Sequence, residues 1–197
     1  GELADYTAVV TLRGAPKEQV ARALVIRGAA NLALNQKTSA LADWIAALEL
    51  WASFEDGVSL AAENLFRLYW ADGATSEANN ILDRLAQHLA TKALDQRTLN
   101  LTEFLARLAS PNMRQGWPHA ARRLLGTQPL EVGNALGFLE PVCAVLEGGE
   151  KSLLDPLPPE QREFALNVLA RFDAEKASLH RPVVTGSTAP ASTGFPA

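Results

Sequence analysis

Between Leu41 and Trp51 the apolar residues fall at Leu41, Trp44, Ile45, Leu48 and Trp51, the spacing of one face of an α-helix. Similar stripes run along most of the chain. They predict helices over 3–12, 17–34, 40–54, 58–71, 77–90, 94–110, 119–126, 129–148 and 159–179. Gly14 ends the first and Pro16 opens the second. Thr38 or Ser39, and later Thr75 or Ser76, stand where N-caps are expected. Glu55-Asp56-Gly57 is expected to break the third helix, residues 112–118 to form a loop, and Pro141 to kink or split the helix over 129–148. Strand signals are almost absent. The β-branched stretch Tyr6-Thr7-Ala8-Val9-Val10-Thr11 is the exception, and it too is read as helix for the reason that follows.

The string LADYTAVVTL from Leu3 returns as LADWIAALEL from Leu41, 38 positions later. Ala40 and Ala78 stand 38 apart, as do Trp44 and Leu82. The repeated unit is helix, short loop, helix, longer loop. A single helical hairpin cannot bury its apolar stripe alone; stacked hairpins bury it against their neighbours. After residue 90 the period blurs in the sequence.

Composition adds bounds. Of 197 residues, 48 % are apolar and 20 % charged, with a net charge of −4. That is ordinary for a globular protein and argues against a nucleic-acid surface. Cys143 is the lone cysteine, so neither an internal disulfide nor a thiolate metal cluster can form. The lone cysteine fits a reducing compartment, and a cytoplasmic location is expected; no long uncharged apolar run predicts a membrane span. Beginning with Gly1 inside the repeated motif, the chain reads as a fragment that starts in the second helix of a hairpin.

The small and aromatic residues Gly28, Ala40, Trp44 and Ala47, with Arg27 beside Gly28, resemble the tetratricopeptide repeat family. The next unit supplies Phe66, Ala78, Leu82 and Leu85, a degenerate copy. Residues 2–54 further resemble long bacterial arrays of such repeats, some of which sit behind signalling ATPase domains. The resemblance implies an all-α fold, antiparallel helical hairpins stacked as a right-handed α-solenoid. It implies a non-catalytic scaffold that holds a peptide or partner protein in a concave groove. An alternative is a sensor or autoinhibitory arm of a larger bacterial signalling ATPase. The domain reading is repeats over 1–90, degenerate repeats or a helical cap over 91–180, and a tail over 181–197.

In that family the first helix of each hairpin lines the groove. Carried over by register, the lining positions are Arg22, Val25, Ala29, Leu32 and Ala33, then Leu60, Glu63, Arg67, Trp70 and Ala71. Arg22, Val25, Glu63, Arg67 and Trp70 form the expected partner-binding set. Trp44 is expected in the core with Gly28 against it, and Trp51 shares its helix face. No phosphate-binding loop, zinc motif or nucleophile elbow is present, and His88, His119 and His180 lack ligand-spaced companions. No cofactor, metal or catalytic residue is expected.

Two features remain. Residues 38–83 hold eight acidic residues and one basic, while residues 91–125 hold six basic and two acidic. That asymmetry is either a solvated face or a patch for an acidic partner. Residues 181–197 are rich in Pro, Gly, Ser and Thr, with apolar anchors at Val183, Val184 and Phe195. Such a tail reads as a linker that could lie along a helical surface, its own or a neighbour's.

Overall fold

The computed structural model describes residues 2–50 and 55–178; Trp51 and the tail over 181–197 lie outside the described residues. Ten α-helices follow one another, with no strand among the described residues. They are α1 (Glu2–Thr11), α2 (Lys17–Ala33), α3 (Lys37–Leu48), α4 (Glu55–Ala71), α5 (Thr75–Leu89), α6 (Leu94–Leu108), α7 (Gly116–Gly126), α8 (Leu130–Ala135), α9 (Leu139–Leu146) and α10 (Pro159–Ser178). Short 3₁₀ turns cover Pro111–Met113 and Lys151–Leu154. No described helix is long and apolar enough to cross a membrane.

The β-branched α1 is a helix. Thr7 Oγ1 donates to the Leu3 carbonyl at 2.8 Å and Thr11 Oγ1 to the Thr7 carbonyl at 2.9 Å, so its hydroxyls are satisfied within the helix. Packing against α2 supplies what local propensity does not.

The helix ends differ from the sequence pattern in instructive ways. The expected threonine and serine caps are not used: Gln36 and Ala74 hold the N-cap positions, without side-chain capping bonds. The reason is a backbone turn that reverses the chain before those hydroxyls are reached. Asn35 adopts φ 59° and Gln36 N–H donates to the Asn31 carbonyl at 2.8 Å. Thirty-eight residues on, Gly73 adopts φ 71° and Ala74 N–H donates to the Tyr69 carbonyl at 2.9 Å. The same turn is thus written twice, once with asparagine and once with glycine at the left-handed position.

Glu55-Asp56-Gly57 does not end a helix but forms the first turn of α4. The expected loop over 112–118 is shorter, because α7 already begins at Gly116 and takes in Trp117 and Pro118. The break in the following stretch falls at Leu136–Phe138, upstream of Pro141. Pro141 then occupies the third position of α9, where its missing N–H leaves no intrahelical bond unmade.

α2 packs on α3, and α4 on α5; the leading helices touch in sequence, α2 on α4 and α4 on α6, and α5 meets α7. After residue 90 the helix starts keep nearly the same spacing. Leading helices start at Lys17, Glu55 and Leu94, and their mates at Lys37, Thr75 and Gly116. Ala40, Ala78 and Gly116 are the buried small residues at the start of each mate. Gly28 packs against Trp44, and the positions 38 and 76 residues on, Phe66 and Leu82, then Phe104 and Ala120, are buried too. From the first pair to the second the leading residue grows from glycine to phenylalanine while the mate shrinks from tryptophan to leucine; in the third the phenylalanine is kept and the mate is alanine.

Two tryptophans reinforce the hairpins. Trp44 Nε1 donates to the Val25 carbonyl at 3.1 Å and Trp117 Nε1 to the Leu105 carbonyl at 2.7 Å, each from the second helix of a pair to the first. At the far end α10 packs on α9 and on the 3₁₀ turn Pro111–Met113, with Phe172 edge-on to Trp117 at 6.2 Å. One apolar core runs from Leu24 to Phe172.

Candidate functional site

A cleft of about 210 Å³ opens between α2, α4 and the 3₁₀ turn Pro111–Met113. Its wall is mostly apolar: Leu32 from α2, Leu68 and Ala71 from α4, Met113 from the turn, and the indole of Trp44. Three polar side chains, Asn64, Arg67 and Asn112, join them. Apolar lining with a few placed hydrogen-bonding groups is the make-up of a binding site.

Arg67 is held there by a charged knot. Its Nε and Nη2 donate to Glu63 Oε1 at 3.1 and 3.0 Å, Nη1 to Ser110 Oγ at 2.6 Å, and Nη2 to the Arg107 carbonyl at 2.5 Å. Arg107 reaches the other Glu63 oxygen through Nε at 3.2 Å, and its Nη2 donates to Ser59 Oγ at 2.6 Å. Glu63 is buried, so two guanidinium groups share one desolvated carboxylate. The knot ties α4 to the end of α6. It also uses four of the five N–H donors of Arg67 and leaves one for a ligand.

The residues of the expected partner-binding set separate. Glu63 and Arg67 meet in that knot, and Arg67 lines the cleft along with Leu32 and Ala71 from the wider groove register. Val25 is buried in the core, and its carbonyl accepts the Trp44 indole N–H. Arg22 is exposed on α2. Trp70 turns toward α7: its ring stacks on Phe66 at 5.7 Å and tilts over His119 at 5.0 Å, and a Cβ on Gly116 would lie 2.8 Å from its Nε1. Asn64, Leu68, Asn112 and Met113 were not in the register. Asn112 and Met113 come from a turn the sequence marks only by Pro111, and no periodic signal places them opposite α4.

A second, polar cleft of about 320 Å³ lies between α1, α2 and α3. Arg27 forks onto Asp43, Nε to Oδ2 at 3.0 Å and Nη2 to Oδ1 at 2.6 Å, and Asn31 Nδ2 adds a third bond to Oδ2 at 3.0 Å. The hydrogen bond to Asp43 and its charge hold Arg27 above its ordinary pKa, against burial. The pair is neutral as a unit, so it fastens α2 to α3 rather than presenting a charge.

Each arginine of the basic segment over 91–125 is engaged within the molecule. Arg107 pairs with Glu63, Arg123 forks onto Asp83 at 2.8 and 2.7 Å, Arg122 bridges Glu140 and Glu147, and Arg114 pairs with Asp173. Arg97, buried, donates to the carbonyls of Ala90 and Lys92. The basic segment over 91–125 thus holds acidic side chains and backbone carbonyls in place, many of them from other helices.

For chemistry the candidates are few. Burial, with Glu140 beside it, pushes the Cys143 thiol up to about 12, so it is neither a thiolate nor a nucleophile near neutral pH. His119 is held below its ordinary pKa, first by burial and then by the charge of Arg123, and its Nε2 lies 2.6 Å from Asn79 Oδ1. Among the described residues no group of His, Cys, Asp and Glu is gathered to hold a metal ion. Compared with known protein families, curated proteins and solved structures, the chain finds no match.

Proposed function

We propose that the chain is a non-catalytic scaffold of tetratricopeptide-like hairpins, stacked as a right-handed α-solenoid, and that it binds an extended segment of a partner protein. The observation that carries this reading is the cleft between α2, α4 and the Pro111–Met113 turn. It offers an apolar wall for one anchoring side chain and the amides of Asn64 and Asn112 for the partner's backbone. The periodic burial of Gly28/Trp44, Phe66/Leu82 and Phe104/Ala120 supports the repeat reading. The repeat reading in turn explains why a surface made by leading helices should face a ligand.

The test is selection of peptides from a displayed random library on the intact chain. Enrichment of sequences around one apolar anchor is expected, with binding abolished by Ala71→Arg or Leu32→Glu. Both positions are exposed, so the fold survives them, as circular dichroism would show. Ile45→Glu, on the opposite helix of the hairpin, should leave binding intact. Selected peptides that ignore the two cleft substitutions would overturn the reading.

A further inference from the structure

The cleft between α2, α4 and the Pro111–Met113 turn has α10 for a neighbour. α10 packs on the same turn whose Asn112 and Met113 wall the cleft. It starts near α9, with Phe164 edge-on to Phe138 at 5.5 Å. Toward its far end it meets α6 and the turn. Arg171 Nη1 donates to the Ala106 carbonyl at 2.6 Å, and Asp173 Oδ1 lies 3.4 Å from Nη1 of Arg114, the residue after Met113. From Asp173 to Ser178 the helix advances only about 7 Å. Five further residues span up to roughly 17 Å and lead to Val183 and Val184. The two valines, which lie outside the described residues, are therefore tethered within reach of the cleft. The apolar wall itself is open: Leu32 is 37 % exposed and Ala71 is exposed as well.

We propose that residues 182–185 dock in this cleft of their own chain and hold it against the partner segment. The proposal rests on the reading of the cleft as a binding site and names what regulates it. Residues 182–197 carry no charge, and the amides of Asn64 and Asn112 are neutral donors and acceptors that suit a peptide backbone. Pro182 and the two β-branched valines restrict the free segment, so it loses less entropy on docking than a flexible one. In an extended chain successive side chains point to opposite sides, so the valine pair offers one anchor to the wall in either register. The tether does the rest. A short linker gives an effective concentration in the millimolar range. A cleft that binds the free segment at about 0.1 mM is then about nine-tenths occupied, and a partner sees its affinity lowered about tenfold.

The test uses the full chain with Ser187→Cys carrying a nitroxide; Cys143 is buried and stays unlabelled. The amide NMR signals of Leu32, Ala71 and Met113 should broaden. Val183→Asp with Val184→Asp should abolish that broadening, and so should Ala71→Arg. Without the label, the double valine substitution should tighten binding of a library-selected peptide by about tenfold. Broadening centred elsewhere, or indifferent to the valine substitutions, would overturn the proposal. So would broadening produced by a nitroxide-bearing second copy, since the segment would then act between molecules. A peptide that binds the cleft equally well with and without the valines would also overturn it, and would leave the partner-binding reading standing. Valine-dependent broadening in a chain that selects no peptide would sustain the docked segment and remove the partner reading instead.

Discussion

The indole of Trp44 occupies the space that a Cβ on Gly28 would need: a methyl there would press into Nε1 and lie 2.7 Å from Cδ1. Trp44 is 1 % exposed and fixed by its bond to the Val25 carbonyl, so moving the ring aside would break that bond. Gly28→Ala therefore sets two effects against each other. Alanine gains about 1 kcal/mol of helix propensity over glycine. Overpacking a dense core costs about 1–3 kcal/mol. The clash wins, and chemical denaturation should show a net loss of stability. An unchanged or raised midpoint would contradict this packing.

The second hairpin shows how the conflict is relieved. Phe66 and Leu82, 38 residues after Gly28 and Trp44, are both buried. Gly28→Phe alone should unfold much of the chain, and Trp44→Leu alone should leave a cavity and cost about 2–4 kcal/mol. The double variant should be markedly more stable than the sum of the two predicts, because it rebuilds the pair found 38 residues on. A double-mutant cycle measures the coupling; additivity within about 0.5 kcal/mol would rule out the shared space.

How far the sequence reveals this depends on which physical signal each residue carries. Gly28, Ala40 and Trp44 were legible because a lone interior glycine, a small residue and a large aromatic keep a fixed spacing. The helical state of the β-branched α1 was legible only through its likeness to α3. Beyond residue 90 the pattern was hidden, since Phe104 and Ala120 keep only the phenylalanine of the second unit and neither the glycine nor the tryptophan of the first. The cleft was half legible. Leu32, Arg67 and Ala71 follow from helix register, whereas Asn112 and Met113 arrive by a tertiary contact of a short turn. Charge was misleading in the same way, because a linear count does not show that Asp83 and Arg123 meet across 40 residues.

Cys143 gives a chemical check on the core of α9. Its thiol is fully buried and its pKa stands at about 12, through burial first and the nearby Glu140 second. In native buffer at pH 8 a thiol reagent should modify it only at the rate of unfolding, and in denaturant at once. Rapid labelling of the native chain would show that α9 opens or packs otherwise.

His119 sets a pH dependence. Burial, then the charge of Arg123, holds its folded pKa below the unfolded value of about 6.5. Between the two values the unfolded chain binds more protons than the folded one, so stability rises with pH there. The contribution is complete above about pH 6.5 and is lost as pH falls through the folded value. Proton NMR should place the His119 midpoint below that of a model histidine. The drop in stability from pH 7 to 5 should be shallower in His119→Gln. A normal midpoint would mean the ring is not packed under Trp70.

The last test concerns the knot on Glu63, whose structural need the first hairpin exposes. The counterpart of Glu63 there is the buried Val25, and the counterpart of Arg67 is Ala29. The fold thus accepts an apolar pair at these positions, and the charged version must justify itself by what it connects. Removing the carboxylate alone, as in Glu63→Val, leaves Arg67 and Arg107 facing each other without an anion between them. Both arginines keep partial contact with water, 28 % and 34 % exposed, which softens the cost to about 1–3 kcal/mol. Glu63→Val with Arg67→Ala removes the stranded cation as well, and Arg107 keeps its bond to Ser59. The double variant should therefore recover most of the stability lost by Glu63→Val. It should still weaken capture of the library-selected peptides, because Arg67 is part of the cleft wall. If the two substitutions simply add, the carboxylate is not the shared anchor of the two arginines, and the link from α4 to α6 must lie elsewhere.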